Sequence, residues 1–328
     1  MWDFSVGRAL GMMGQTLPFI LLRMAVYFGF TAAYILVTGM GAGIGWGVGG
    51  FGDPDFQATT TFWGGLIGFG VVGAVMYLLR EYILYIVKAG HIAVLVKLID
   101  GEQMPKGNSQ ISYARDVVTS RFTEASILFG VDQLVKGVLR AITGLVRGIV
   151  SILPIPGAQQ FVSIIHAFLR IAIGFVDEVI LAYMIRTEST NAWESARKGV
   201  VLYAQNYKPM LKNAAWLALI VYGLSLLVFL IMLAPAAAAV YLIPGAWSAG
   251  GLVFALLFAW SVKAALLEPF AITCMMQVYF SQIEDQVPDP AWDAKLEQLS
   301  NKFGKIKENA LNYVPPKAGD QARSAPTP

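Results

Sequence analysis

Residues 127–186 read ILFGVDQLVKGVLRAITGLVRGIVSIL, then PIPG, then AQQFVSIIHAFLRIAIGFVDEVILAYMIR. Both long pieces are apolar, with charge returning at helical spacing. In the first, Asp132, Lys136, Arg140 and Arg147 fall within an arc of about 80° at 100° per residue. In the second, Gln159, Ser163, His166, Arg170 and Asp177 fall within about 60° by the same count. The PIPG between them forces a reversal, because Pro removes donors and restricts its neighbour while Gly supplies an unusual dihedral. The stretch therefore reads as a helical hairpin carrying two polar stripes.

The surrounding chain gives the setting. Of 328 residues, 56% are hydrophobic and 14% charged, with a mean hydropathy of +0.60. Soluble domains carry about 25% charge, so this composition belongs to an integral membrane protein. The net charge of +3 is too small to imply a nucleic-acid partner. A single cysteine, Cys274, excludes an intramolecular disulfide and any CxxC site.

Residues 1–16 read as an interfacial segment, with Trp2, Phe4 and Leu10 available to the membrane edge. The apolar run that follows is too long and too late for a cleaved signal, so residues 17–39 read as a retained span. The glycine-rich GMGAGIGWGVGGFG then has two readings. It is either a face for close helix contact through small-xxx-small spacing or a flexible loop at the membrane edge, and glycine's backbone freedom favours the loop. A second span begins near Phe62. Its pattern runs on through Arg80, Glu81, Lys88, His91 and Lys97 without a breaker until Asp100-Gly101, so it predicts one long helix leaving the bilayer as an amphipathic arm. His91 reads as a solvated or interfacial residue of that arm, since no second His or Cys lies at metal spacing.

After a polar connector, Asn108 or Ser109 is placed to cap the helix leading into the hairpin. Beyond the hairpin, Asn191 and Glu194 fit a capping box, with Glu194 returning to the cap. The helix they start should lie on the membrane surface, with Trp193, Val200, Val201 and Tyr203 toward lipid or protein. Residues 210–233 form a third span and 252–280 a fourth. From 283 the composition turns polar. Trp292, Leu296, Leu299, Phe303 and Ile306 repeat at alternating four and three residues. Two heptads are few, so a helix docked on the membrane domain or its surface is preferred to a dimerising coil. Residues 315–328 should be disordered.

Charge sets the orientation. The connectors 41–60, 154–160 and 234–250 hold no Lys or Arg, whereas the opposite side receives Arg8, Lys88, Lys97, Arg186, Arg197, Lys208 and Lys212 among others. That asymmetry predicts both termini in the cytoplasm. The fold expected is thus an all-α integral membrane protein. It has four spans within a membrane domain over 17–282, a charged hairpin that is re-entrant, interfacial or spanning, and a cytoplasmic amphipathic helix over 283–314.

An ionised group at the bilayer centre costs about 2.5–3.5 kcal/mol on insertion scales, so the stripes cannot face lipid. Three outcomes stay open. Asp132 and Asp177 pair with Lys136, Arg140 and Arg170 inside the bundle; the stripes line a wet cavity; or Lys136, Arg140 and Arg147 meet anionic headgroups at about 1 kcal/mol each. The excess of basic residues on the first helix favours the headgroups. His166 reads as a hydrogen-bonded structural residue, with proton sensing as the alternative. Lys263 and Glu268 lie deep in the last span, five residues and so about 140° apart. They should not share a face, and each should find a partner on another helix. Pro269 frees the carbonyl of Ala265, a local break that could form part of a binding site. No GxSxG, HExxH or P-loop occurs, so neither an enzyme nor a metal or cofactor is expected.

Four short pieces carry a family resemblance over residues 124–286. These are ILFGVDQLVKGVLR, the AY at 182–183, the SAR at 195–197 that opens a helix before a span, and the acidic exit at 282–285. In these the chain resembles the C-terminal half of choline transporter-like proteins. The family's N-terminal half has no counterpart, and no binding residue is carried over. The resemblance implies a transporter-like core for choline-like amines or lipid precursors. The other function expected is a non-transporting membrane scaffold or lipid-organising protein. The partners expected are the lipid bilayer and its anionic headgroups, with a protein partner at 291–311 and an oligomer both open.

Overall fold

Among the described residues, four helices are long and apolar enough to cross a membrane: Leu17–Gly49, Pro54–Met76, Tyr207–Ala238 and Gly251–Gln282. The shortest has 23 residues, about 35 Å at 1.5 Å per residue, against a hydrocarbon core of roughly 30 Å. The computed structural model describes residues 1–103, 110–121, 130–131, 133–141, 176–189, 191–241 and 250–314. Every regular element among them is helical. They are α1 (Val6–Gln15), α2 (Leu17–Gly49), α3 (Pro54–Ile99), α4 (Gln110–Arg121), α5 (Val176–Arg186), α6 (Ala192–Gln205), α7 (Tyr207–Tyr241) and α8 (Gly250–Val262). A π-turn at Lys263–Leu267 leads into α9 (Glu268–Gln282), followed by α10 (Pro290–Leu299) and α11 (Asn301–Leu311). Residues 133–141 are helical too. The PIPG reversal, the hairpin's depth, the caps expected at Asn108 or Ser109 and the tail beyond 314 lie outside the described residues.

The glycine-rich segment is helix, not loop. It forms the last turns of α2, and its glycines let α3 lie against it at backbone contact. A Cβ on Gly41 would stand 2.2 Å from the carbonyl oxygen of Gly64, and one on Gly45 2.0 Å from that of Thr60. Glycine's poor helix propensity disfavours this segment in isolation, but the close approach of the two helices outweighs it. The turn between them is short because Asp53 caps α3, accepting from the Phe56 N–H at 2.7 Å, with Pro54 in the first turn.

The main apolar core gathers around one end of the spans and takes in parts of the last two of them. It joins α1, the arm of α3, Val131 with residues 134–139, α5, α6, the start of α7, α9, α10 and α11. The N-terminus is fastened to this end. The Asp3 N–H donates to Asn213 Oδ1 at 2.7 Å, the Asp3 carboxylate meets Lys212 at 2.7 Å, and Arg8 donates to the Ile99 carbonyl at 2.8 Å.

α6 begins as expected, with the Asn191 side chain accepting from the Glu194 N–H at 3.1 Å. The reciprocal half of the box is absent. The Glu194 carboxylate turns instead to Arg197 at 3.1 Å and Lys198 at 3.4 Å, and the Asn191 N–H donates to Ser189. Val200, Val201 and Tyr203 are buried within the protein. The apolar stripe of the tail is split at Ser300 into two helices that both pack on α6, so Leu296, Phe303 and Ile306 are all fully buried. Arg197 fastens the tail through Asp293 at 2.6 Å.

Candidate functional site

Where the spans meet this helical layer, distant parts of the chain bring ionisable groups together. α3 contributes Lys88, whose ammonium lies 2.9 Å from the Glu178 carboxylate on α5. The neighbouring Asp177 lies 3.5 Å from Lys136 on the segment 133–141. The π-turn and α9 supply Lys263 and Glu268, 2.9 Å apart. α2 supplies Arg23, 1% exposed and 3.5 Å from His91 of α3.

The Lys263–Glu268 contact corrects the expectation that the two could not share a face. A separation of 140° holds for an α-helix. Here the Glu268 N–H bonds the Lys263 carbonyl, a turn of five residues that stacks each residue over the fifth beyond it. The wide turn falls just before Pro269, whose missing N–H already breaks the α-helical ladder. Lys263 also lies 5.5 Å from the centre of the Tyr222 ring.

His91 is corrected as well. It is fully buried, stacked on Phe19 at 5.2 Å, because the start of α2 covers the arm there. Burial, and then the positive Arg23, hold its pKa well below the ordinary 6.5. For Glu178 burial opposes ionisation, but Lys88 and the hydrogen bond with Asp177 outweigh it and bring the carboxyl down to about 2. Burial likewise opposes charge on Lys88, and Glu178 with Glu268 raises its pKa above the usual lysine value. Breaking such a pair from one side strands the other charge at about 3–5 kcal/mol.

Of the sequence candidates, Lys136, Asp177, Lys263 and Glu268 fall in this layer, and the Lys136–Asp177 contact realises pairing for those two. Arg140 is exposed. Asp132, Arg147, His166 and Arg170 lie outside the described residues. The sequence reading passed over Arg23 and Glu178 and treated Lys88 only as part of the arm. Arg23 carried a usable signal, an ionisable residue within the run LLRMAV.

A polar cleft of about 560 Å³ opens further along the same helices, lined by Asp100 after α3, Arg186 of α5, and Gln277 and Phe280 of α9. Arg186 bonds Asp100 at 2.7 Å and lies 4.4 Å from the centre of the Phe280 ring. Beside Asp177 a smaller cavity of about 10 Å³ has about the room of one water.

The fold and this layer define a helical, multi-pass membrane protein. No family model, curated protein or solved structure matches the chain.

Proposed function

We propose that this protein sits in the inner or plasma membrane with both termini in the cytoplasm and handles a small polar solute, an amine or a lipid-related compound, at the charged layer. One observation carries the reading. The helices α3, α5 and α9 that hold Lys88, Glu178 and Glu268 also line the open cleft, about 12–18 Å further along at 1.5 Å per residue. An open polar cleft on the same three helices as a cluster of ionisable groups beside a broken helix supports a solute-handling reading. The Lys/Arg asymmetry supports the orientation, and the resemblance to choline transporter-like proteins supports an amine as the first solute to try.

The test is uptake by vesicles reconstituted with the full chain, using labelled choline and a panel of small amines and phosphate-bearing lipid precursors. Uptake that disappears in Glu268→Gln supports the reading. Absence of uptake or counterflow across the panel rejects it. The pairing of Lys88 on α3 with Glu178 on α5 favours the second reading, a non-transporting scaffold or lipid-organising protein whose charges only fasten helices together. In that case Glu268→Gln would alter stability and nothing else.

A further inference from the structure

Four cations meet three carboxylates in the charged layer among the described residues: Arg23, Lys88, Lys136 and Lys263 against Asp177, Glu178 and Glu268. Each carboxylate already has an ammonium within 3.5 Å. Arg23 enters no ion pair among the described residues, although it is 1% exposed. Its polar contact is with His91, whose Nδ1 lies 3.5 Å from Nη1. The far side of that imidazole fixes its state. His91 Nε2 lies 3.0 Å from the Thr16 hydroxyl, whose own proton goes to the Met12 carbonyl at 3.0 Å. Nε2 therefore carries the ring proton and donates, Nδ1 accepts, and the ring is neutral. His91 therefore gives Arg23 no counter-charge, and the carboxylate that feels the guanidinium, Glu268, is already paired with Lys263.

Among the described residues, the two groups of Arg23 without a hydrogen-bond partner are Nε and Nη2. They lie on one edge of the guanidinium and form the fork that takes two oxygens of an oxyanion side by side. We propose that this edge binds a phosphate group, carried by a lipid headgroup or by a small solute. The depth suits it. α2 has 33 residues, about 50 Å, against a hydrocarbon core of roughly 30 Å, and on this reading the excess falls at the end that joins the charged layer, which puts its first turns at headgroup level. Arg23 lies about 9 Å along the helix from Leu17, and Leu17 and Leu21 on the open face are 52% and 56% exposed. The layer is not sealed at its edge, since the side chains of Lys88, Lys263 and Glu268 are 27%, 20% and 20% exposed. A phosphate here would satisfy the fork and balance the surplus cation together.

This inference rests on reading the layer as a binding layer, and its test is separable from uptake. The full chain, stripped of lipid in detergent, is titrated at constant ionic strength with sodium phosphate and, separately, with a short-chain phosphatidic acid, while Tm is followed. Sodium chloride serves as the control. Ligand that binds the folded state raises Tm by mass action. The wild type should respond to at least one titrant and not to chloride. Arg23→Lys, which keeps the charge and loses the fork, should bind at least ~tenfold more weakly, and Arg23→Gln should not respond. A response to phosphate alone identifies a solute site, and a response to the lipid alone a headgroup site. No rise in the wild type with either titrant, or equal rises in the wild type and Arg23→Lys, overturns the proposal. Uptake without a phosphate response would leave the transport reading standing and remove this one.

Discussion

The ammonium of Lys263 lies 2.9 Å from the carboxylate of Glu268, five residues further along the same helix. Only the wide turn between them allows this, and it gives the last span an ion pair of its own. Glu268→Gln should lower stability by about 1.5–3 kcal/mol, the range for a hydrogen bond to a charged group, toward the lower end because both side chains are partly exposed. Denaturant unfolding in micelles reads this, and an unchanged midpoint would contradict it.

The Lys88–Glu178 pair joins the arm of α3 to α5 and should show the asymmetry of buried charge. Lys88→Met strands Glu178 and should cost about 3 kcal/mol, whereas Lys88→Met with Glu178→Leu should recover most of that loss. A single variant as mild as the double one would count against the pairing. The pH dependence has a definite sign. The folded pKa of Glu178 is about 2, below its ordinary 4.5. Its stabilisation is therefore present above pH 4.5 and is lost as pH falls toward 2. Tm should drop over that acid window in the wild type and less in the double variant.

The contact between α2 and α3 predicts a paired result. Gly41→Ala places a Cβ 2.2 Å from the Gly64 carbonyl oxygen, while nothing lies within 4 Å of a Cβ on Gly43. The first should cost at least about 1–3 kcal/mol, as overpacking does. The second should be neutral or slightly stabilising, since Ala is the better helix former. Comparing their Tm values separates helix contact from general intolerance of α2.

Phe303 of α11 is fully buried where the tail packs on α6. Phe303→Ala should remove about 3 kcal/mol of docking energy and free α10 and α11 from α6. Limited proteolysis near Val287, which is 79% exposed, should then accelerate while the spans stay intact. An unchanged cleavage rate would mean that Arg197 and Asp293 hold the tail without it.

The spans were legible because length and hydropathy decide them locally. The capped start of α6 was legible because Asn191 acts within its own turn. What escaped depends on partners or on a change of period. The glycines of α2 read as a loop until α3 supplies a face that only glycine can approach. The arm's pattern could not show that Phe19 covers His91. A count of 100° per residue separates Lys263 from Glu268, and only the wide turn before Pro269 reunites them. Arg23 was averaged away inside an apolar run, although it is buried without an ion pair among the described residues. The tail stripe runs on through Ser300 because both helices bury it against α6, so the period carries no mark of the break.

The central claim is that the charged layer opens to water from the cytoplasmic side. Lys263→Cys in a Cys274→Ala background tests it with a membrane-impermeant maleimide. The account predicts modification in inside-out vesicles and none in right-side-out vesicles. Modification only from the outside, or from neither side, would contradict it.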